Sequence, residues 1–120
     1  MNKKILIVDD DMINRKLVNV HIKKFGYSTI EAENGMEALN ILKKENDIDM
    51  VFLDIFMPVM NGLDLLKILK EDNVLKNIPI AILTTDDSKK NESLQLGACE
   101  VLIKPIKEAQ IKDLLSKCLI

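Results

Sequence analysis

The sequence predicts a doubly wound α/β domain, a parallel five-stranded sheet that is covered by helices on both faces. Short continuous apolar runs alternate five times with stretches in which apolar residues recur at helical spacing. The runs are continuous rather than alternating, which is typical of parallel strands buried on both faces. All four glycines and all three prolines fall at connections or strand beginnings, where special backbone angles or a missing N–H donor are tolerated.

The first two units occupy the N-terminal part of the chain. The apolar run at 5–8 predicts the first strand, and Gly26 ends the amphipathic helix that follows it. The face of that helix consists of Leu17, Val18, His21, Ile22 and Phe25. A weaker strand at 28–32, which we assign to a sheet edge, leads through an Asn-Gly turn into the second helix. Its inward positions are Ala38, Leu39 and Leu42.

The remaining three units follow the same plan. Strands are predicted at 50–53, 80–83 and 101–103, where the apolar runs resume. The third helix is marked by Leu65, Leu66 and Leu69, and the last by Ile111, Leu114, Leu115 and Cys118. Between them, residues 88–96 predict a polar fourth helix that ends at Gly97.

Length and composition exclude several classes of protein. A chain of 120 residues can bury roughly two-thirds of the surface of its unfolded form, so we assign 1–120 to a single domain. With 17 basic and 19 acidic residues, no Trp and 3% aromatic residues, the chain lacks the basic, base-stacking surface that nucleic acid requires. No apolar run approaches the ~20 residues of a membrane span, so we expect no membrane insertion and a cytoplasmic location. Cys99 and Cys118 are interpreted as small buried apolar residues with free thiols.

Polar residues follow four of the five predicted strands. They are Asp9, Asp10 and Asp11 after the first strand, Asp54 after the third, Thr84 to Asp87 after the fourth, and Lys104 with Pro105 after the fifth. In doubly wound sheets, ligands bind beyond the carboxyl ends of the strands. The sequence therefore predicts a site at this edge of the sheet.

These residue types favour phosphoryl transfer to a carboxylate. Two carboxylates ~4 Å apart repel by about 4 kcal/mol at an effective dielectric constant of 20, so a cluster of them requires a cation. Oxygen ligands without His or Cys select a hard ion such as Mg²⁺, which Mn²⁺ can replace. Lys104 provides an ammonium group and Thr84 a hydroxyl group for phosphoryl oxygens. We interpret Asp54 as the nucleophile of this set.

Four strings carry a resemblance to a known family. ILIVDD, LDIFMPVMNG, ILTT and LIKP occur in this order across nearly the whole chain. Together they resemble the receiver domain of two-component response regulators, the CheY-like family. The resemblance implies a (βα)5 flavodoxin-like sheet with strand order 2-1-3-4-5. It also implies a stand-alone phosphoacceptor that is not an enzyme in the usual sense, although it catalyses its own phosphorylation and dephosphorylation.

The resemblance assigns a role to each site residue. Asp54 accepts a phosphoryl group from a sensor histidine kinase or a histidine phosphotransfer protein. Mg²⁺ is bound by Asp10, Asp54 and the backbone carbonyl of Phe56, while Asp9 acts mostly through water. Thr84 and Lys104 hold the phosphoryl oxygens, and the Lys104–Pro105 peptide bond resembles the family's cis peptide.

The resemblance also covers regulation and output. Phe56, Thr85 and Asp86 occupy positions that resemble those modulating the phosphoryl lifetime in receivers. Thr84 and the residue three before Lys104 resemble the family's switch pair, but that residue is Val101, which has no aromatic ring to swing. A downstream effector protein is expected on the surface formed by the fourth helix, fifth strand and fifth helix.

Two other functions fit parts of the pattern. An aspartate-nucleophile Mg²⁺ phosphatase would use Asp9 as the nucleophile and Asp11 as the acid. That family needs a further acidic motif after its lysine, where this chain has only Glu108 and Asp113, and commonly a cap domain for which 120 residues leave no room. A phosphate-independent docking module is the other alternative. It would be expected to have lost some of the acids or the lysine, and none is lost.

Overall fold

The five strands form one parallel sheet. The computed structural model describes residues 3–119. Its strands are β1 (Lys4–Val8), β2 (Ser28–Ala32), β3 (Ile48–Asp54), β4 (Ile80–Thr84) and β5 (Glu100–Ile103). Their order in the sheet is β2-β1-β3-β4-β5, and every pairing is parallel. The predicted fold class, the strand order and the edge position of the second strand are therefore confirmed.

Helices cover both faces of the sheet. They are α1 (Met12–Lys24), α2 (Gly35–Lys44), α3 (Gly62–Glu71), α4 (Lys90–Gln95) and α5 (Glu108–Cys118). Helices α1 and α5 pack on one face, whereas α2, α3 and the end of α4 pack on the other. Within residues 3–119, no helix has both the length and the apolar character that crossing a membrane requires.

Alternate residues of each strand enter opposite halves of the core. In β1, for example, Ile5 and Ile7 face α1 and α5, while Leu6 and Val8 face α2 and α3. All four side chains are fully buried, and each contributes about 2 kcal/mol through the hydrophobic effect. The need to fill two layers explains why the strands read as continuous apolar runs rather than as alternating ones.

Side-chain caps fix where the first three helices begin. The carboxylate of Asp11 accepts hydrogen bonds from the backbone N–H groups of Ile13 and Asn14, as expected for a helix cap. Asn34 and Asn61 cap α2 and α3 in the same way. These caps set the lengths of the connections that leave the sheet at its carboxyl edge.

The polar fourth helix is shorter than the sequence predicts. A 3-10 turn occupies Asp87–Lys89, and α4 begins only at Lys90. The carboxylate of Asp86 accepts hydrogen bonds from both the N–H and the hydroxyl group of Ser88. This local bonding competes with regular helix geometry at the first turn, so the predicted start at residue 88 is wrong by two residues.

The interpretation of the two cysteines as free thiols is wrong. Cys99 and Cys118 form a disulfide bond whose Cα atoms lie 6.5 Å apart. Helix α5 runs back along β5, so its C-terminal end returns to the level at which β5 begins. The ion pair between Lys117 and Glu100, 2.8 Å apart, joins the same two elements. A single pair of cysteines in different elements gives no spacing signal, and only the topology brings them together.

Reducing the Cys99–Cys118 disulfide should lower the free energy of unfolding by about 3 kcal/mol. The cysteines are 19 residues apart. Closing a loop of that length lowers the conformational entropy of the unfolded chain, so reduction of the disulfide stabilises the unfolded state. Urea unfolding followed by circular dichroism, with and without reductant, measures the effect. Cys118→Ser should have the same free energy of unfolding as the reduced wild type, and adding reductant should not change it. Equal stability of the wild type in both conditions would contradict the prediction.

Candidate functional site

The carboxyl ends of β1, β3, β4 and β5 meet at one edge of the sheet. The pairings Val8 with Leu53, Asp54 with Leu83, and Thr84 with Ile103 bring these ends level with one another. The residues that follow or end the strands are therefore neighbours in space. Asp9, Asp54, Thr84 and Lys104 all lie here, as the sequence predicts.

Three carboxylates form a compact cluster at this edge. Carboxylate oxygen atoms of Asp9, Asp10 and Asp54 all lie within 4.8 Å of one another. Asp9 and Asp54 are only 1% and 5% exposed, whereas Asp10 is exposed to solvent. Burial raises the pKa of Asp54 to about 6; Lys104 opposes this rise, while Asp9 and Asp10 add to it. The cluster thus carries more negative charge than its surroundings stabilise well.

Lys104 joins two of these carboxylates. Its Nζ atom lies 3.0 Å from Asp9 Oδ2 and 3.3 Å from Asp54 Oδ1. Burial alone would lower the pKa of Lys104, but the carboxylates of Asp9 and Asp54 raise it above its usual value. The backbone N–H of Lys104 donates to the carbonyl of Thr84 at 2.7 Å, and the Lys104–Pro105 peptide bond is cis. The ammonium group is therefore charged and anchored between the acids.

The polar residues after β4 surround a buried hydroxyl group. Thr84 is fully buried, and its Oγ1 atom accepts a hydrogen bond from the backbone N–H of Asp86 at 3.1 Å. The hydrogen bonds from Ser88 hold the pKa of Asp86 below its usual range. Thr85 is exposed and Asp86 is half-buried, and both follow Thr84 directly at the carboxyl end of β4.

Comparison with known proteins identifies the family. The sequence-family model of the response regulator receiver domain matches residues 5–116. The chain belongs to this family. Receiver domains of this family typically bind Mg²⁺ and interact with histidine kinases and downstream effectors. The resemblance stated from the four sequence strings is therefore confirmed.

Relatives and solved structures agree with this assignment. The polar-differentiation response regulator DivK of Brucella anthropi is 40% identical over 108 residues, which cover 88% of this chain and 87% of that protein. The two-component response regulator-like PRR37 of rice is 34% identical over 114 residues. The matched region is 92% of this chain but spans only 15% of the rice protein. The chemotaxis response regulator CheY4 of Vibrio cholerae superposes with a TM-score of 0.90 at 32% identity, covering 98% and 99% of the two chains.

Two further residues named from the sequence differ in their exposure. Phe56 lies in the connection after β3 with 51% of its surface exposed. Val101 is buried in the core layer on the side of the sheet that α2, α3 and the end of α4 cover in this receiver domain. A branched aliphatic side chain at residue 101 therefore fills core space, whereas the Phe56 side chain is open to solvent.

Sequence reasoning missed Gly62, whose lack of a side chain shapes the receiver site. A Cβ atom at Gly62 would overlap the backbone oxygen of Asp54, and the N–H of Gly62 donates to the carbonyl of Ile55 at 2.7 Å. The first turn of α3 therefore rests directly on the backbone of the strand that ends in Asp54. In the same connection, Val59 has a positive φ of 75°, an unusual conformation for a β-branched residue. The Asn-Gly pair before an apolar helix was the available signal for this close approach.

Sequence reasoning also missed Arg15. It lies on the inner face of α1, three residues before Val18 and seven before Ile22, and is only 7% exposed. Its Nη1 atom donates to the backbone carbonyl of Asp9 at 2.8 Å. A charged residue at an inward helical position was the signal, because burial of a charge requires a specific partner.

Replacing Asp54 with Asn should stabilise the metal-free protein by about 3 kcal/mol near pH 8. The pKa of Asp54 is about 6 in the folded protein against 3.8 ordinarily, and each unit corresponds to about 1.4 kcal/mol. The folded state holds this proton more tightly, so the wild type loses stability as the pH rises from about 4 through 6. Asp54→Asn removes that loss.

Urea unfolding in the presence of EDTA, repeated between about pH 4 and pH 8, measures this difference. The gain from Asp54→Asn should shrink toward zero at the acidic end. Asp64→Asn, at an exposed acid of α3, serves as the matched control and should show no such rise with pH. A gain from Asp54→Asn that is equal at every pH would mean that burial does not raise this pKa.

Proposed function

We propose that this receiver domain is a phosphoacceptor switch of a two-component phosphorelay and that Asp54 accepts the phosphoryl group. The observation that carries the proposal is the ammonium group of Lys104, held 3.0 Å from Asp9 and 3.3 Å from Asp54. A nucleophilic carboxylate, a second acid and a fixed cation thus meet at one sheet edge. We take residues 1–120 as one receiver domain and its location as cytoplasmic.

The carboxylate cluster fits a divalent cation. Three carboxylates within 4.8 Å offer the oxygen atoms that Mg²⁺ takes as ligands, and Mn²⁺ accepts the same set. In this proposal Asp10, Asp54 and the backbone carbonyl of Phe56 bind the metal, and Asp9 contributes mostly through water. When bound, Mg²⁺ supplies positive charge that offsets the charge on the phosphoryl oxygens during transfer.

The proposed reaction is a phosphoryl transfer between two side chains. A carboxylate oxygen of Asp54 forms a bond to phosphorus while the bond from phosphorus to the donor histidine's ring nitrogen breaks. The electron pair of that bond stays on the nitrogen, which takes up a proton. In hydrolysis a water oxygen bonds to phosphorus while the bond from phosphorus to the Asp54 oxygen breaks. The electron pair of that bond restores the Asp54 carboxylate, and the water protons leave with inorganic phosphate or pass to solvent. In this proposal the domain catalyses both its own phosphorylation and its own dephosphorylation.

The remaining site residues orient and regulate the phosphoryl group. We assign Lys104 and Thr84 to its oxygens, because an ammonium group and a buried hydroxyl group already lie at the carboxyl edge. Phe56, Thr85 and Asp86 border the site and are assigned to its modulation, since a side chain at the mouth controls the approach of water. These assignments leave the apolar core uninvolved in the chemistry.

Phosphorylation adds about −1.5 to −2 charge next to Thr84 and Lys104. We propose that this charge draws both residues toward the phosphoryl group and that the α4–β5–α5 surface changes as a result, which is where an effector protein docks. Lys104 follows β5 directly and its N–H is bonded to the Thr84 carbonyl, which supports a connection through the backbone. Val101 has no ring to rotate, so Thr84 carries the switch without an aromatic partner. The phosphoryl donor is a sensor histidine kinase or a histidine phosphotransfer protein.

The phosphatase alternative has less support. Asp11 would have to act as an acid, but its carboxylate caps α1. Asp9 would have to be the nucleophile, but its Oδ1 atom accepts the N–H of Asp11 and its Oδ2 atom accepts Lys104. The docking-module alternative has no observation in its favour, since the acids and the lysine are all assembled.

Asp54 should be the site of covalent labelling. Incubation with a small acyl phosphate or phosphoramidate and Mg²⁺ should add the mass of one phosphoryl group to the wild type, as measured by intact-protein mass spectrometry. Asp54→Asn should abolish the adduct, because it removes the nucleophilic carboxylate, and the exposed control Asp64→Asn should label like the wild type. An adduct that persists in Asp54→Asn, or depends on Asp9 alone, would overturn the assignment.

Asp10 should be a metal ligand. Asp10→Asn should weaken Mg²⁺ binding at least about tenfold, a loss that even outer-sphere partners of a metal produce. The neighbouring variant Asp11→Asn is a matched control, because Asn is as good a helix cap as Asp and Asp11 lies outside the carboxylate cluster. Isothermal titration calorimetry with Mg²⁺ compares the two. If Asp11→Asn rather than Asp10→Asn reduced the affinity, the two acids after β1 that contribute to the metal site would be Asp10 and Asp11 instead of Asp9 and Asp10.

A further inference from the structure

Arg15 is a buried cation that contacts the site without taking part in the proposed chemistry. Its guanidinium group lies between two acceptors, with Nη1 donating to the backbone carbonyl of Asp9 at 2.8 Å and Nε donating to Glu31 Oε1 at 2.7 Å. Only 8% of the side chain is exposed. Burial of a guanidinium group is costly unless it is paired and hydrogen-bonded, and here both conditions are met.

Glu31 anchors Arg15 to the edge strand β2. Its second carboxylate oxygen accepts hydrogen bonds from Lys16 and Asn19, and Asn19 in turn accepts one from the hydroxyl group of Thr29. Burial would raise the pKa of Glu31, but the hydrogen bonds from Lys16 and Arg15 hold it below its usual range. The carboxylate is therefore charged and fixed, and so is the guanidinium group that depends on it.

The contact with the Asp9 carbonyl restrains the peptide between Asp9 and Asp10. This peptide group is planar, so fixing its oxygen atom also fixes the direction of the backbone from which the Asp10 side chain leaves. The rest of Asp9 is held as well: its N–H donates to Ala32, and its two carboxylate oxygens accept the N–H of Asp11 and the ammonium group of Lys104. Arg15 supplies the restraint on the side of Asp10.

We infer that Arg15, anchored by Glu31, is a positioning residue that holds the Asp9–Asp10 backbone in the orientation in which the two carboxylates bind a divalent cation. This inference rests on the proposed function of the cluster. Arg15 touches neither the metal nor the phosphoryl group and acts through Asp9. An arginine suits this task because its Nε and Nη1 atoms donate from separate, fixed positions of one planar group, whereas a lysine presents a single nitrogen at the end of a flexible stem.

The test compares Mg²⁺ affinity with labelling at saturating Mg²⁺. Arg15→Lys should raise the dissociation constant for Mg²⁺ about tenfold in isothermal titration calorimetry, the loss typical of removing an outer-sphere partner. The rate of Asp54 labelling at saturating Mg²⁺ should stay near the wild-type rate, because bound metal restores the orientation. Glu31→Gln keeps the size of the side chain and one of its two acceptor oxygens but removes the charge, so it should shift the affinity in the same direction by less.

Lys16→Met provides the matched control. Lys16 binds the same Glu31 carboxylate but is exposed and does not reach Asp9, so its replacement should leave the Mg²⁺ affinity unchanged. Urea unfolding in EDTA reports the stability of each variant. If Arg15→Lys and Glu31→Gln lose stability but bind Mg²⁺ like the wild type, the role of Arg15 is structural and the inference is overturned. If the wild type is never labelled, the proposed function fails, while the calorimetry still decides whether Arg15 orients a cation site.

Discussion

The repulsion among the clustered carboxylates at one edge of the sheet is the constraint on which the rest of this structure depends. Asp9, Asp10 and Asp54 are brought within 4.8 Å of one another, and burial raises the pKa of Asp54 to about 6. Such a cluster persists only because the apolar sheet behind it is stable enough to hold it. Lys104 offsets part of the repulsion, and what remains would favour a cation in the proposed metal site.

The sheet was predictable from the sequence because its two-layered core leaves a direct signal. Each strand must fill both layers, so the runs that begin at Ile5, Met50 and Ile80 are continuously apolar. The convergence of Asp9, Asp54 and Lys104 was predictable for a related reason: parallel strands bring their carboxyl ends together, so residues that are distant in the chain become neighbours. The start of α4 at Lys90, two residues after the predicted start, was not predictable, because it depends on the local hydrogen bonds of Asp86.

The residues that sequence reasoning missed share one property. Gly62 and Arg15 act on backbone atoms of the site, the carbonyl groups of Asp54 and Asp9, and backbone contacts leave little trace in residue type. The disulfide between Cys99 and Cys118 was missed because it depends on the relative lengths of β5 and α5. Patterns of residue type report side-chain burial well, whereas contacts to the backbone require coordinates.

Gly62 has a mechanical consequence for the domain. Because the missing Cβ atom lets the first turn of α3 rest on the backbone oxygen of Asp54, and because the N–H of Gly62 is bonded to Ile55, there is no slack between strand and helix. A shift of the strand end cannot be absorbed by a gap or a rotating side chain. We therefore expect a displacement of the end of β3 to be passed directly to the start of α3.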